Sequence, residues 1–369
     1  MAARDRTSAR PGEAAPEPGG ERAPERRSRA SLESTAYRLA SQFLLAAVLA
    51  ILVIVFSALR PEAFFTVANF KGIGVNQIVV VFAALGLLAP LIVGELDLSI
   101  GYVIGLSQAI VVGLMAKQGV GVPLAIAAAL AACLLVGLVN GLLVVRLGIN
   151  SLITTLAVGS ILYGAVIWYT NGEVISEKVP LSFQGIANNE FLSLPLAIWY
   201  GIALLLALEI LFSFKPLGRR MYAVGGNRRA AELVGIRVRA ITVGAFAASA
   251  LVAGIGGVII ASRLNSAQPE LGPQFLLPAY AAAFLGATTI RAGRFNPLGT
   301  VVAVYLVAVL VAGLQNMGVP SWGEYMVDGA ALIAGVALAT WLVKQREQRA
   351  RRDQLAVFEQ SAREEIDPV

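Results

Sequence analysis

The chain has 369 residues, 57% of them hydrophobic and 14% charged, with a mean hydropathy of +0.74. Soluble domains carry about 25% charged residues, so the composition excludes an ordinary water-soluble globule and points to an integral membrane protein. A net charge of +6 would suit nucleic acid, but the basic residues lie in tails and loops without interleaved aromatics, and membrane orientation accounts for them.

Residues 1–38 are rich in Arg, Glu, Pro and Ser and lack an apolar period, the composition of a disordered cytoplasmic tail. The first apolar run, Leu39 to Leu59, is longer than the core of a secretory signal and carries no cleavage signature, so it is expected to stay as a span. Further apolar segments follow at Ile73 to Val93, Tyr102 to Ala116, Val122 to Val145, Ser151 to Thr170 and Leu194 to Ser213. Four more lie at Ile241 to Ser262, Leu276 to Ile290, Leu298 to Met317 and Tyr325 to Val343. The pattern predicts an all-α polytopic membrane protein with about ten transmembrane helices over residues 39–343, followed by a cytoplasmic tail at 344–369.

With the N-terminus inside, 24 of the 29 basic residues fall in inner regions, which predicts that both termini are cytoplasmic. The third and eighth spans, about 15 residues each, are too short to cross about 30 Å. They correspond if spans 2 to 5 match spans 7 to 10. An odd offset inverts one half relative to the other, so an inverted-repeat core is expected, with a translocation site near the short pair.

Several polar groups fall inside this apolar frame. Pro90 interrupts the second span, and Gly94-Glu95-Leu96-Asp97-Leu98-Ser99-Ile100-Gly101 follows it. Asp97 and Ser99 are suited to capping the next helix; the Asp97 carboxylate can also pair with a base or bind a polyhydroxylated solute. Asn76, Gln77, Gln108, Asn140, Thr154, Thr155 and Asn316 should point into the bundle. Helix-to-helix bonding and a permeation path for a neutral polar solute need the same chemistry, and the sequence leaves both readings open. Intramembrane acids are few, chiefly Asp97, Glu209 and Asp328, and Glu209 is expected to reach toward Lys215 or water.

Between the sixth and seventh spans lies a polar island, Phe214 to Arg239, with seven basic residues. Gly225-Gly226 predicts a permissive turn, Asn227 an N-cap, and Arg228 to Val234 a short helix carrying Glu232. Such an element is either a connector or a handle that another protein can push. Histidine is absent and Cys133 is the sole cysteine, so His-based metal sites and an intramolecular disulfide are excluded; Cys133 reads as a packing residue. No G-x-x-x-x-G-K-[ST] loop occurs, so ATP would have to be hydrolysed by another chain. No cofactor or metal is expected, and no enzymatic bond chemistry.

Four stretches together resemble the permease subunits of ribose-type sugar ABC importers: GELDLSIG (94–101), GRRMYAVGGNRRAAELVGI (218–236), ASRLNSAQP (261–269) and LGATTIRAGRFNPLGT (285–300). The resemblance covers residues 40 to 343. It implies a membrane subunit, usually a homodimer, that takes a monosaccharide from an extracytoplasmic solute-binding protein and works with a cytoplasmic ATP-binding subunit. Gly225, Gly226, Asn227, Ala230, Ala231, Glu232 and Gly235 would then dock in the ATPase. Asn76, Gln77, Asp97, Ser99, Gln108 and Asn140 are the candidates for the translocation path. Glu95, Arg291 and Phe295 depart from the family's motifs. Permeases for branched-chain amino acids or nucleosides, and an ion-coupled carrier acting alone, are the rival expectations.

Overall fold

The computed structural model describes residues 43–366, and the tail expected at 1–38 lies outside them. A backbone in apolar surroundings has no hydrogen-bond partner but itself, and the apolar stretches are accordingly helical. In chain order the helices are α1 (Phe43–Leu59), α2 (Val67–Asn76), α3 (Ile78–Ile92), α4 (Ile100–Gln118), α5 (Val122–Leu147) and α6 (Ser151–Thr170). They continue with α7 (Leu181–Asn188), α8 (Leu196–Ser213), α9 (Pro216–Gly226), α10 (Arg228–Leu233), α11 (Val238–Leu264), α12 (Leu276–Gly286), α13 (Pro297–Asn316) and α14 (Trp322–Ile366). A single two-residue hairpin pairs Glu190–Phe191 with Leu194–Pro195.

Among the described residues, eight helices are long and apolar enough to cross a membrane, with α2 and α3 taken together. Ten were expected. The difference lies in α1, whose first residue is also the first described, and in α12, which has 11 residues. The expected pair of short spans is also corrected. α4 has 19 residues, about 28 Å at 1.5 Å per residue, because the helix continues through Lys117 until Gly119 closes it at φ +66°. Only its counterpart α12 is short. The second span begins earlier than expected, at Val67, where Thr66 accepts the Asn69 N–H at 3.1 Å, and it breaks at Gln77. The last helix runs on past Val343 to Ile366.

α11 sits at the centre, packed on α3, α4 and α5. Its closest neighbour presents Gly137 and Gly141, where an added Cβ would come within 2.5 Å of the Phe246 carbonyl oxygen and 2.7 Å of Val243 Cα. Every residue of α3 is buried, the expected place for a helix apolar all round. For the α2–α3 span 83% of the most apolar stretch is buried, against 17% for α8 and for α14, which form the outer surface. Cys133 is fully buried against Gly254, as a packing residue should be. α1 lies along α13, with Leu45 on Leu306, Val307 and Val311.

Candidate functional site

The polar island folds as an elbow. Pro216 opens α9 in its first turn, where a missing N–H costs nothing. α9 then continues through Gly225 and Gly226, so the turn expected there is instead the end of a helix. Close approach explains the residue choice: a Cβ on Gly225 would stand 1.9 Å from the carbonyl oxygen of Ile92, at the end of α3. The backbone becomes extended at Asn227, whose side chain accepts the Ala230 N–H at 3.0 Å and caps α10. Gly235, at φ +81°, closes that helix. Its N–H donates to Glu232 O at 3.0 Å and the Ile236 N–H donates to Ala231 O at 3.0 Å. Ala231 is buried, whereas Asn227, Ala230 and Glu232 are exposed. Leu233 and Val234 are 84% and 76% exposed, an apolar tip on a charged elbow.

The elbow is tied to the segment between α3 and α4. Arg228 Nη1 donates to Glu95 Oε1 at 2.9 Å. α3 ends in the same closure as α10: Gly94 at φ +85° donates to Leu91 O at 3.2 Å, and the Glu95 N–H donates to Pro90 O at 2.9 Å. Two residues on, Asp97 is buried in a knot that joins four helices. Its Oδ1 accepts the Ser99 N–H at 3.1 Å and the Ser99 hydroxyl at 2.5 Å, and its Oδ2 accepts the Ser249 hydroxyl of α11 at 2.8 Å. Asn140 Nδ2, on α5, donates to Ser99 Oγ at 2.9 Å, and the Asp97 N–H donates to the Tyr280 hydroxyl of α12 at 2.9 Å. On α6, Ser151 Oγ accepts the Leu96 N–H at 3.2 Å and Thr155 Oγ1 the Leu98 N–H at 2.9 Å.

Asp97 therefore takes a backbone N–H ahead of α4, as a capping residue would. Ser99 does not cap, although it holds the N-cap position; its hydroxyl is occupied by Asp97 and Asn140. Ser249 is the partner that local sequence reasoning missed, since a serine 152 positions away carries no local signal.

A second ion pair lies nearby. Glu209 Oε1 accepts from Arg291 Nη2 at 2.9 Å and from Ser213 Oγ at 2.5 Å, and Arg291 also bonds Ser213. Glu209 thus turns to the α12–α13 connection rather than to Lys215 or water. Tyr222, on α9, donates to Phe295 O at 2.5 Å. Burial pushes its phenol above the ordinary value, with Arg291 opposing, Glu209 adding and Arg294 opposing, so it remains a donor.

Away from the knot, the α2–α3 break, the end of α11, the start of α12, α13 and the start of α14 line a cavity of about 550 Å³. Asn76 and Gln77, at the α2–α3 break, line it with Arg263, Gln268, Gln274, Glu324, Tyr325 and Asp328. Arg263 holds the break open, donating to Val75 O at 2.8 Å and Asn76 Oδ1 at 3.0 Å. Among the described residues the side chains of Gln77, Gln274, Tyr325 and Asp328 make no hydrogen bond, so their polar groups are free to meet a solute. Gln108 is committed elsewhere: Nε2 donates to Gln268 O at 2.9 Å and Oε1 accepts the Gln268 N–H at 3.2 Å. Of the six path candidates, the structure puts Asn76 and Gln77 on this cavity, Asp97, Ser99 and Asn140 in the knot, and Gln108 in a backbone clamp. Sequence reasoning missed Arg263, although a lone Arg closing a long apolar helix is a readable signal.

Residues 69–336 match the family described as branched-chain amino acid transport system / permease component. The ribose import permease protein RbsC of Bacillus subtilis (strain 168) is 33% identical over 292 residues, covering 78% of this chain and 89% of that protein. The L-arabinose transport system permease protein AraH of Escherichia coli (strain K12) is 32% identical over 319 residues, covering 85% and 94%. The autoinducer 2 import system permease protein LsrD of Escherichia coli (strain SMS-3-5 / SECEC) is 31% identical over 303 residues, covering 79% and 89%. No solved structure matches the chain. With its apolar helices, its polar cavity and this match over most of its length, the chain is a multi-pass membrane permease and belongs to the branched-chain amino acid transport system / permease component family.

Proposed function

We propose that this chain is the translocating subunit of an ATP-driven importer for a monosaccharide or a sugar-like small polyol. The solute arrives from an extracytoplasmic binding protein, and the energy comes from a cytoplasmic ATP-binding subunit. The observation that carries the reading is the cavity at the α2–α3 break. Amides at Gln77 and Gln274, the Tyr325 hydroxyl and the Asp328 carboxylate offer donors and acceptors among apolar side chains such as Val80, Leu271 and Val307, which suits a polyhydroxylated solute. The names of the relatives above point to the same substrate class. In this reading Asn76 and Gln77 face the path, while Asp97, Ser99, Gln108 and Asn140 set the geometry of the helices around it.

Gly225, Gly226, Asn227, Ala230, Ala231, Glu232 and Gly235 form the element on which the ATPase pushes. Motion of the elbow passes to the bundle by two contacts, Gly225 of α9 on Ile92 at the end of α3 and Arg228 of α10 on Glu95 just beyond it, and from Glu95 to the Asp97 knot two residues away. Both termini lie in the cytoplasm, two copies pair, and the halves α2–α6 and α11–α14 are inverted relatives. The meeting of the two helix entries supports that last point: a Cβ on Gly272, ahead of α12, would stand 2.5 Å from the carbonyl oxygen of Gly101 at the start of α4.

Proteoliposomes holding the chain, its ATPase and its binding protein are expected to accumulate one member of a panel of radiolabelled pentoses and related polyols, and only with ATP. Glu232→Arg or Ala231→Pro abolishes that uptake without loss of membrane insertion. Uptake of branched-chain amino acids or nucleosides instead of sugars, or gradient-driven uptake by the chain alone, would overturn the reading.

A further inference from the structure

Between α8 and α11, beside the elbow, runs a groove of about 670 Å³ that plays no part in the path described above. Its mouth holds Arg220 of α9 and Arg237 at the end of the α10–α11 connection, and its walls above the mouth are apolar, with Leu208 and Phe212 on one side. α11 leaves space along the other side. At Gly244 an added Cβ would meet nothing within 4 Å, and the groove continues to Ala248. From Arg237 to Ala248 is eleven residues, about 16 Å at 1.5 Å per residue. The groove therefore starts at the edge of the membrane and runs well into the thickness spanned by α8 and α11.

Its charge is unbalanced. No Asp or Glu is among the lining residues, and among the described residues neither Arg220 nor Arg237 forms an ion pair or side-chain hydrogen bond. An occupant must bring a negative head to the mouth and a narrow apolar body to the furrow. A soluble protein reaches only the mouth. We propose that this groove is a binding site for one anionic phospholipid, its phosphate between Arg220 and Arg237 and an acyl chain along α11 past Gly244. Basic pockets between membrane helices are the expected place for such headgroups. A lipid there braces the elbow against the bundle, since Arg220 lies on α9 and Arg237 directly precedes α11.

The site can be tested on the purified full-length chain without any ATPase, so its failure is separate from failure of the transport reading. Native mass spectrometry with equal excesses of dioleoyl phosphatidylglycerol and dioleoyl phosphatidylcholine is expected to show about a tenfold or greater preference for the anionic lipid, the scale of two basic residues at a membrane surface. Arg220→Gln with Arg237→Gln removes the preference. Gly244→Leu, whose side chain enters open space, lowers retention of phosphatidylglycerol with both arginines in place and with unchanged thermal unfolding in its absence. Equal retention of the two lipids, or a preference unaffected by either variant, overturns the proposal. So does a disulfide-linked dimer formed by Gly244→Cys in a Cys133→Ala background, which would make a second copy of the chain the occupant.

Discussion

Two interruptions of helix near the ends of α3 can be set side by side. At Val93 to Ser99 the chain leaves the helix and every side chain of consequence is answered: Asp97 by Ser99 and Ser249, Ser99 by Asn140, and the backbone by Tyr280, Ser151 and Thr155. At Asn76 and Gln77 the chain also leaves the helix, yet Gln77 faces a cavity with its amide unused. Both breaks are polar, and in sequence they look alike. A break whose groups bond one another holds helices together; a break that leaves groups unspent presents chemistry to a visitor.

The sharpest way to break this comparison is Asp97→Ala, which leaves the Ser99 N–H, the Ser99 hydroxyl and the Ser249 hydroxyl without their shared acceptor. A loss of about 3 kcal/mol or more is expected, read as a lower unfolding midpoint in detergent; a midpoint near wild type would mean the knot is slack. Next comes Gly225→Val, which drives a side chain into the Ile92 carbonyl and should cost about 1–3 kcal/mol together with all uptake. Gly226→Ala, with open space around it, is the matched control for packing and should unfold as wild type does.

A smaller effect is expected from Glu95→Gln. The pair with Arg228 is partly exposed, at 13% and 46%, so stability changes by less than about 1 kcal/mol, while uptake driven by ATP falls several-fold. Exchanging the two residues, Glu95→Arg with Arg228→Glu, should restore part of it, and no restoration would argue against transmission through this contact. Smallest in stability is Gln77→Ala, expected to leave unfolding unchanged within about 0.5 kcal/mol and to raise the KM for uptake. If it instead destabilises the chain as Asp97→Ala does, the two breaks are alike after all.

Most of the architecture was legible because its signals are long and apolar. α6 falls on its expected bounds, Ser151 and Thr170, and α5, α8, α11 and α13 fall within three residues of theirs, whereas the second span starts six residues early and α14 runs on to Ile366. The Asn227 cap was readable because a cap depends on four consecutive residues, here Asn227 to Ala230. Helix ends set by single residues were not: α4 was expected to end at Ala116 and runs to the Gly119 closure, so the argument from two short spans rests on α12 alone. Gly225-Gly226 predicts a turn, but what demands glycine at Gly225 is the approach of Ile92, 133 positions away. Contacts of that range, such as Ser249 with Asp97 and Arg291 with Glu209, leave no periodicity behind. The cavity was half legible. Asn76 and Gln77 stood out as polar residues in an apolar run, whereas Gln274 lies outside every expected span and Tyr325 at the first position of the tenth, and both become neighbours of Gln77 only through folding.

The exposed pair at the tip of the elbow, Leu233 and Val234, has a further consequence for the life of the molecule. Bare aliphatic side chains left exposed make an adhesive spot, and the ATPase proposed to dock on the elbow would cover it. Orphan copies should accordingly be cleared faster than docked ones, a difference that pulse-chase half-lives with and without the ATPase would reveal, so that the cell keeps its subunits in proportion by discarding the surplus.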